Sequence, residues 1–338
     1  ILAQQAATRA HAAAAARMSG RSCLQCSEPV HHRADSSALR ASSRPMPDKL
    51  ITPVLVTYNT SHILPWSLPP LAACADVIVV DNQSSDDTVQ TVHRLLPQAR
   101  VIAAGSNLGF GRANNLGLAQ VTTDYALLLN PDARLEPDAL EQLRLAALAY
   151  PEAAIIAPVI YDAPGQVGDF FRGPFYAHAA RPAPEPAGDL CADFVTGAAM
   201  LLNLRLMREV GFFDPWFFLY FEDDDLCLRV RRAGHPIMVA HRARLEHHTR
   251  QSSAPSARTS YRRMYCMTLS KLYITRKYLG TARCAAAALR IGLGSALALL
   301  PQLLLLRTDR TLKLAARCAA SATIWRRLGK RHCFEAAD

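Results

Sequence analysis

An α/β fold with a largely parallel sheet is what this sequence predicts, and three observations predict it. Short apolar runs recur at Leu50–Tyr58, Val77–Val80, Val101–Ala104 and Tyr125–Leu129, the first rich in β-branched residues and ending in polar ones. Helical segments alternate with them, at Thr88–Leu96 and Arg112–Gln120, and such alternation places helices on the faces of a parallel sheet. Half of the 338 residues are apolar, enough to bury a full core.

Taken in order, residues 1–48 are rich in Ala, Arg and Ser without apolar periodicity, and read as a disordered leader. They contain no apolar segment of secretory type, and the lone Cys23–Cys26 pair lacks the second pair that a zinc site needs. The first strand follows, and after the second comes Ser84-Ser85-Asp86-Asp87, a capping signal for the helix at Thr88. Ligands of such sheets bind beyond the C-terminal strand ends, where this chain carries Thr57, Tyr58, Asn59, Asp81, Asn82, Asn107, Asn130 and Asp132. Pro and Gly over Pro164–Pro186 predict a long loop near the site. A strand at Phe194–Leu202 and a helix at Leu204–Val210 lead into an aromatic and acidic stretch, followed by a helix at Asp225–Ala233.

That stretch is the most informative part of the chain. Glu222 to Asp225 are four consecutive carboxylates directly behind Trp216, Phe217, Phe218, Tyr220 and Phe221. Like charges raise one another's pKa and burial adds a desolvation cost, so either a metal or a general base gives a reason to keep them; a solvated first helical turn is the plain alternative. Asn107 to Gly117, NLGFGRANNLG, opens a helix behind a strand, where backbone N–H groups and small residues admit a phosphate, although its spacing is not the dinucleotide fingerprint. Asn130-Pro131-Asp132 sets oxygen donors at a strand end, a chemistry suited to Mg²⁺ or Mn²⁺ on a diphosphate, or equally to a simple turn.

Charge divides the chain. Residues 249–338 hold 17 Lys or Arg against 3 acids, a net of +14, so the first 248 residues carry −4 of the total +10. A basic tail of this kind seeks phosphate. Residues 261–279 read as a basic helix, and residues 284–306 are apolar apart from Arg290 and Gln302. Arg290 and Pro301 make this a poor membrane span; it fits either an interfacial helix on an anionic membrane surface or a buried helical hairpin. No nucleic-acid module is recognisable, so nucleic acid is not an expected partner. Scattered cysteines suit reduced thiols in a cytoplasmic protein.

Six motifs in order resemble those of family 2 inverting glycosyltransferases: VTYN from Val56, VVDNQSSDD from Val79, NLGFGRANNLG, LLLNPDA from Leu127, TGAAMLL from Thr196, and VGFFDPWFFLYFEDDDLCLR from Val210. The likeness covers about residues 50–255 and is closest to the rhamnosyltransferase-like branch. It implies a GT-A catalytic domain over residues 49–255, followed by the helical region 256–338. It implies a nucleotide-diphosphate sugar donor, dTDP-rhamnose or a UDP-sugar, and a glycan or lipid-linked acceptor in cell-surface polysaccharide synthesis, handled on the inner face of the cytoplasmic membrane. By the same resemblance Thr57, Tyr58 and Asn59 lie under the nucleotide, Asp81 and Asn82 contact base or ribose, and Asn107, Gly109, Phe110 and Asn115 shape the floor. Asn130 and Asp132 correspond to the ends of the metal motif, with His247 of Glu246-His247-His248 completing the metal site. Asp223 is the expected base, with Glu222 as the next candidate and Asp225 in support. Nucleotidyl transfer, or a non-catalytic phosphate- or membrane-binding role, are the competing classes.

Overall fold

The computed structural model describes residues 51–163, 165–168, 170–172, 185–248, 256–305 and 308–328. The expected leader, Cys23 and Cys26, and most of the Pro164–Pro186 loop lie outside them. The core is a sheet in the order β3-β2-β1-β4-β11-β6-β12-β5. Strands β1 (Ile51–Thr57), β2 (Ile78–Asp81), β3 (Arg100–Ala103) and β4 (Tyr125–Leu129) are parallel to one another. The centres of β1, β2 and β4 are continuous buried apolar runs, as burial on both faces requires, whereas β3 at the sheet edge is only partly buried. The sheet is mixed rather than wholly parallel, because β11 (Ala199–Asn203) runs antiparallel to both β4 and β6 (Ile155–Ala163).

Helices α2 (Thr88–Leu95), α3 (Phe110–Leu118) and α4 (Ala139–Ala149) cover the sheet, after a short α1 at Leu64–Ser67. Gly117 lets α3 sit close on the sheet: a Cβ there would stand 2.6 Å from Val54 and 3.0 Å from Val80. The strand expected over Phe194–Leu202 is two strands. Phe194–Val195 (β10) pairs with Phe171–Arg172 (β8), whereas β11 joins the main sheet. The break falls at Gly197, where a Cβ would stand 3.2 Å from the Phe110 ring, a tight contact.

Strand β12 (Ile237–His247) pairs in parallel with β6 and, after a register shift between Ala240 and Arg244, runs antiparallel to β5 (Ala133–Leu135). The β5 register sets His247 opposite Ala133, and so brings the end of β12 against Asp132. Two-residue strands at Gln166–Val167 (β7) and Leu190–Cys191 (β9) extend the sheet at β6 and β12.

Helix α5 (Leu204–Val210) is capped by Asn203 and ends at Gly211, where φ is +81°. Helix α6 then runs Glu222–Arg232, three residues earlier than expected, so that all four carboxylates occupy its first turn. Three further helices close the chain: α7 (Ala257–Leu279), α8 (Thr281–Leu304) and α9 (Thr308–Leu328). Leu272, Cys284, Ala288 and Ile324 form their shared core, and Gly292 lets α9 approach closely, since a Cβ there would stand 3.2 Å from that of Ser321. Helix α8 is buried only along that seam. Leu289, Leu293 and Leu297, spaced four apart and thus on one face, are 56–72% exposed.

Candidate active site

The ends of β1 and β2 form a polar floor in which the side chains largely satisfy one another. Thr57 is fully buried, with its hydroxyl toward Val80 O and Asp81 Oδ1, both at 3.4 Å. Asn59 takes φ +55°, a left-handed conformation that Asn tolerates, and its Oδ1 accepts from the Ser85 amide at 2.7 Å. Asp81 accepts from the Ser84 amide at 3.1 Å. Asn82 is buried; its Oδ1 accepts from the Leu108 amide at 2.8 Å and its amide donates to Asn107 Oδ1 and Gly109 O, each at 3.2 Å. Asp86 fastens this floor, accepting from Ser61 and from the Thr88 hydroxyl, which holds its carboxyl below the usual range against the opposing effect of burial. The expected residues around β1 and β2 therefore converge. Their backbone and open edges, rather than a row of free side chains, face the strand ends, while Tyr58 is half-buried beside them.

The floor is joined directly to the acidic stretch. The Phe110 amide donates to Phe218 O at 2.9 Å, and a Cβ on Gly109 would fall 2.1 Å from that same oxygen. Gly109 also has φ +84°, so the position admits glycine alone. Asn115 spends both ends of its amide on the Phe213 backbone, donating to its carbonyl at 2.8 Å and accepting from its N–H at 3.0 Å. Expected under the ribose or diphosphate, Asn115 is instead a tether between α3 and the loop before α6.

Where that loop meets α6, Tyr220 and Phe221 have φ +70° and +65°, strained for residues with a Cβ by roughly 1–2 kcal/mol each. The strained turn delivers Glu222, Asp223 and Asp224 to a cavity of about 350 Å³ whose walls include Phe110, Asn130, Phe194, Thr196 and Met267. Asp223 Oδ2 accepts from the Gly197 amide at 3.1 Å and Oδ1 from the Asp224 amide at 3.0 Å. Glu222 is 5% exposed, and burial together with the charges of Asp223 and Asp224 pushes its carboxyl well above the usual carboxylate range. A cavity carrying one carboxylate held by backbone donors beside a second, buried acid can take a proton from a hydroxyl.

Asp225, expected in support of the base, does not line the cavity. It is fully buried and bonded to Arg229 Nε at 2.9 Å, Lys277 Nζ at 2.6 Å and the Tyr278 hydroxyl at 2.7 Å. Lys277 also holds Asp214 at 2.6 Å, Tyr273 donates to Asp214 and stacks on Trp216 at 3.7 Å, and Ser270 donates to Leu219 O at 2.9 Å. Helix α7 thus grips the loop that carries the acids. Nothing local in the chain announces this grip, or Met267 as a cavity wall, because the partners lie more than forty residues away and carry no motif.

Asp132 and His247 meet as the β5–β12 register requires: His247 Nε2 lies 3.2 Å from Asp132 Oδ1, and the His248 amide donates to Asp132 O at 3.0 Å. Asp132 is 3% exposed. His248 stacks on Trp66 at 4.0 Å, which leaves His247 as the inward ring. Among the described residues no cluster of three or more His, Cys, Asp and Glu could hold a metal. The pair nevertheless suits Mg²⁺ or Mn²⁺: two cis ligands of an octahedral ion lie roughly 3 Å apart, and such ions keep most of their sphere for phosphates and water.

The sequence profile named "Glycosyl transferase family 2" matches residues 54–225, more than half of the chain. The chain belongs to this family. It is 28% identical over 239 residues to the N-acetylglucosaminyl-diphospho-decaprenol L-rhamnosyltransferase of Mycobacterium tuberculosis, which covers 59% of this chain and 76% of that protein. It is 29% identical over 172 residues to rhamnosyltransferase WbbL of Escherichia coli, covering 44% and 65%. Among solved structures, the mannosyltransferase PcManGT of Pyrobaculum calidifontis, in complex with GDP-Man and Mn²⁺, superposes with a TM-score of 0.50 at 16% identity, covering 82% of this chain and 87% of that one. The family 2 glycosyltransferase described here therefore has the GT-A fold and is a transferase. Nucleotidyl transfer and a non-catalytic role give way to that assignment.

Proposed function

We propose that this glycosyltransferase moves rhamnose, with inversion, from dTDP-rhamnose to a lipid-linked glycan acceptor. The observation that carries the reading is Asp223. Its two oxygens accept from the amides of Gly197 and Asp224 at the wall of the cavity, an arrangement that favours the ionised form and fixes where it points. The acceptor hydroxyl enters this cavity and gives its proton to Asp223 as its oxygen attacks the anomeric carbon of the donor. The nucleotide lies over Thr57, Tyr58, Asn59, Asp81 and Asn82, with Asn107, Gly109 and Phe110 at the edge toward the cavity and Asn130 between the two. Asp132 and His247 hold a divalent ion, which when bound neutralises the charge developing on the leaving diphosphate. The rhamnosyl group is supported by both bacterial relatives, and the lipid-diphosphate acceptor by the mycobacterial one.

The C-terminal helices bring the protein to the inner face of the cytoplasmic membrane. The exposed leucines of α8 have Arg283 and Arg290 exposed on the same helix and Arg310 and Arg317 exposed on α9, a combination suited to anionic lipid. Helix α8 is one helix long and apolar enough to cross a membrane by length and composition; we read it as interfacial.

The test is to incubate the protein with dTDP-rhamnose, Mn²⁺ and a membrane lipid extract, and to follow rhamnosyl transfer and product anomeric configuration. Transfer with inversion that Asp223→Asn abolishes is expected. Absence of transfer, or full activity in Asp223→Asn, overturns the reading.

A further inference from the structure

Glu222 differs from the acids that follow it in what its oxygens meet. Its side chain is 5% exposed, and Oε2 is buried with no hydrogen-bond partner. Yet the residue contributes to the wall of the same cavity as Asp223. A buried carboxyl oxygen without a partner is costly unless something completes it.

Among the described residues the surroundings supply no counter-ion. Helix α6 contributes the acids Asp223 and Asp224, and α3 packs so closely that a Cβ on Gly111 would stand 3.7 Å from the Glu222 Cβ and 2.9 Å from that of Phe213. From α7, Cys266 lies near enough to feel the charge of Glu222, while Arg262 is turned over the Phe218 ring at 4.7 Å. Asp223 stands in the opposite setting, with an amide donor on each oxygen. Glu222 keeps its own amide as a donor but leaves Oε2 without one, so one proton placed between these neighbours rests on Glu222.

We propose that Glu222 works as a neutral acid whose O–H donates into the cavity, to an acceptor oxygen adjoining the hydroxyl that Asp223 deprotonates. The acceptor class this selects is a sugar bearing an oxygen, whether hydroxyl, ether or acyl carbonyl, on the carbon next to the nucleophilic one. The proposal rests on Asp223 acting as the base.

Two measurements test it. The first needs no substrate: infrared difference spectra of wild type against Glu222→Gln at pH 7 show a protonated carboxyl band lost in the variant. Absence of that band overturns the proposal whatever the donor proves to be. The second uses dTDP-rhamnose with membrane lipid extract. Glu222→Gln, which keeps a donor group, retains kcat within about threefold, whereas Glu222→Leu raises the acceptor concentration for half-maximal rate about tenfold at little cost in kcat. Equal loss of kcat in Glu222→Gln and Asp223→Asn would make Glu222 the base, and an unchanged acceptor requirement in Glu222→Leu would make it a space-filler; each overturns the inference. If wild type transfers nothing from dTDP-rhamnose, the donor assignment fails and the infrared band still decides the protonation.

Discussion

The Tyr278 hydroxyl donates to Asp225 across 2.7 Å, joining the helix that carries the site's acids to the first helix of the C-terminal region. Both groups are buried, and the Tyr278 hydroxyl resists ionisation because of burial and the adjacent carboxylate. Tyr278→Phe removes one charge-assisted hydrogen bond and should lower unfolding free energy by about 1.5–3 kcal/mol in urea melts. Because the same contact positions α6, kcat should fall further than donor affinity does. Equal stability in both proteins would show that Lys277 and Arg229 suffice for Asp225.

Acid tolerance should depend on Lys277. Burial alone would raise the Asp214 carboxyl, but the Lys277 ammonium, the Trp216 amide and the Tyr273 hydroxyl outweigh it and hold the group below its ordinary range. A carboxyl depressed in the folded state contributes stability that is present above its unfolded pKa, roughly 3.9, and is lost as pH falls through the folded value. Lys277→Met removes the ion pair, so acid unfolding followed by circular dichroism should begin at a higher pH than in wild type. Coincident acid transitions would refute the assignment.

Metal binding should be linked to the nucleotide. With only Asp132 and His247 converging, Mn²⁺ by itself should raise Tm little, whereas Mn²⁺ with a nucleotide diphosphate should raise it by several degrees. Asp132→Asn and His247→Ala should each abolish the increment that depends on Mn²⁺. A full Mn²⁺ response in Asp132→Asn would place the ion elsewhere.

Gly109→Ala is expected to be severe. The new Cβ meets a backbone oxygen at 2.1 Å and the φ of +84° penalises any side chain, so the loss should exceed about 2 kcal/mol. Gly105, with φ +72° and no atom within 4 Å of its open side, provides the control: there only the backbone penalty applies, and the destabilisation should be smaller.

The nucleotide half of the molecule could be read from the chain because its signals are local. The runs at β1, β2 and β4, the cap before α2 and the glycines of α3 each announce themselves within a few residues. Helix starts at Phe110 and Glu222 lay two or three residues ahead of expectation, since glycine and consecutive acids conceal a first turn. The division of Phe194–Leu202 into two strands depends on Phe110, which only the folded chain brings to Gly197. The pairing of Asp132 with His247 was legible through motif resemblance, and the β5–β12 register accounts for it physically. Four adjacent acids do not show how Glu222, Asp223 and Asp225 differ in setting: the Gly197 amide ahead of β11 meets Asp223, and Lys277 and Tyr278 of α7 meet Asp225.

The grip of α7 on the loop from Gly211 to Phe221 has a consequence for the order in which the protein matures. A ribosome delivers the sheet, the nucleotide floor and the acids before it delivers Ser270, Tyr273, Lys277 and Tyr278. A nascent chain paused after β12 thus holds every motif of the family yet lacks the contacts that steady its strained turn. A chain that stops there would still match the family profile over residues 54–225 while the loop before its acids lacks the ion pairs and hydrogen bonds that α7 supplies.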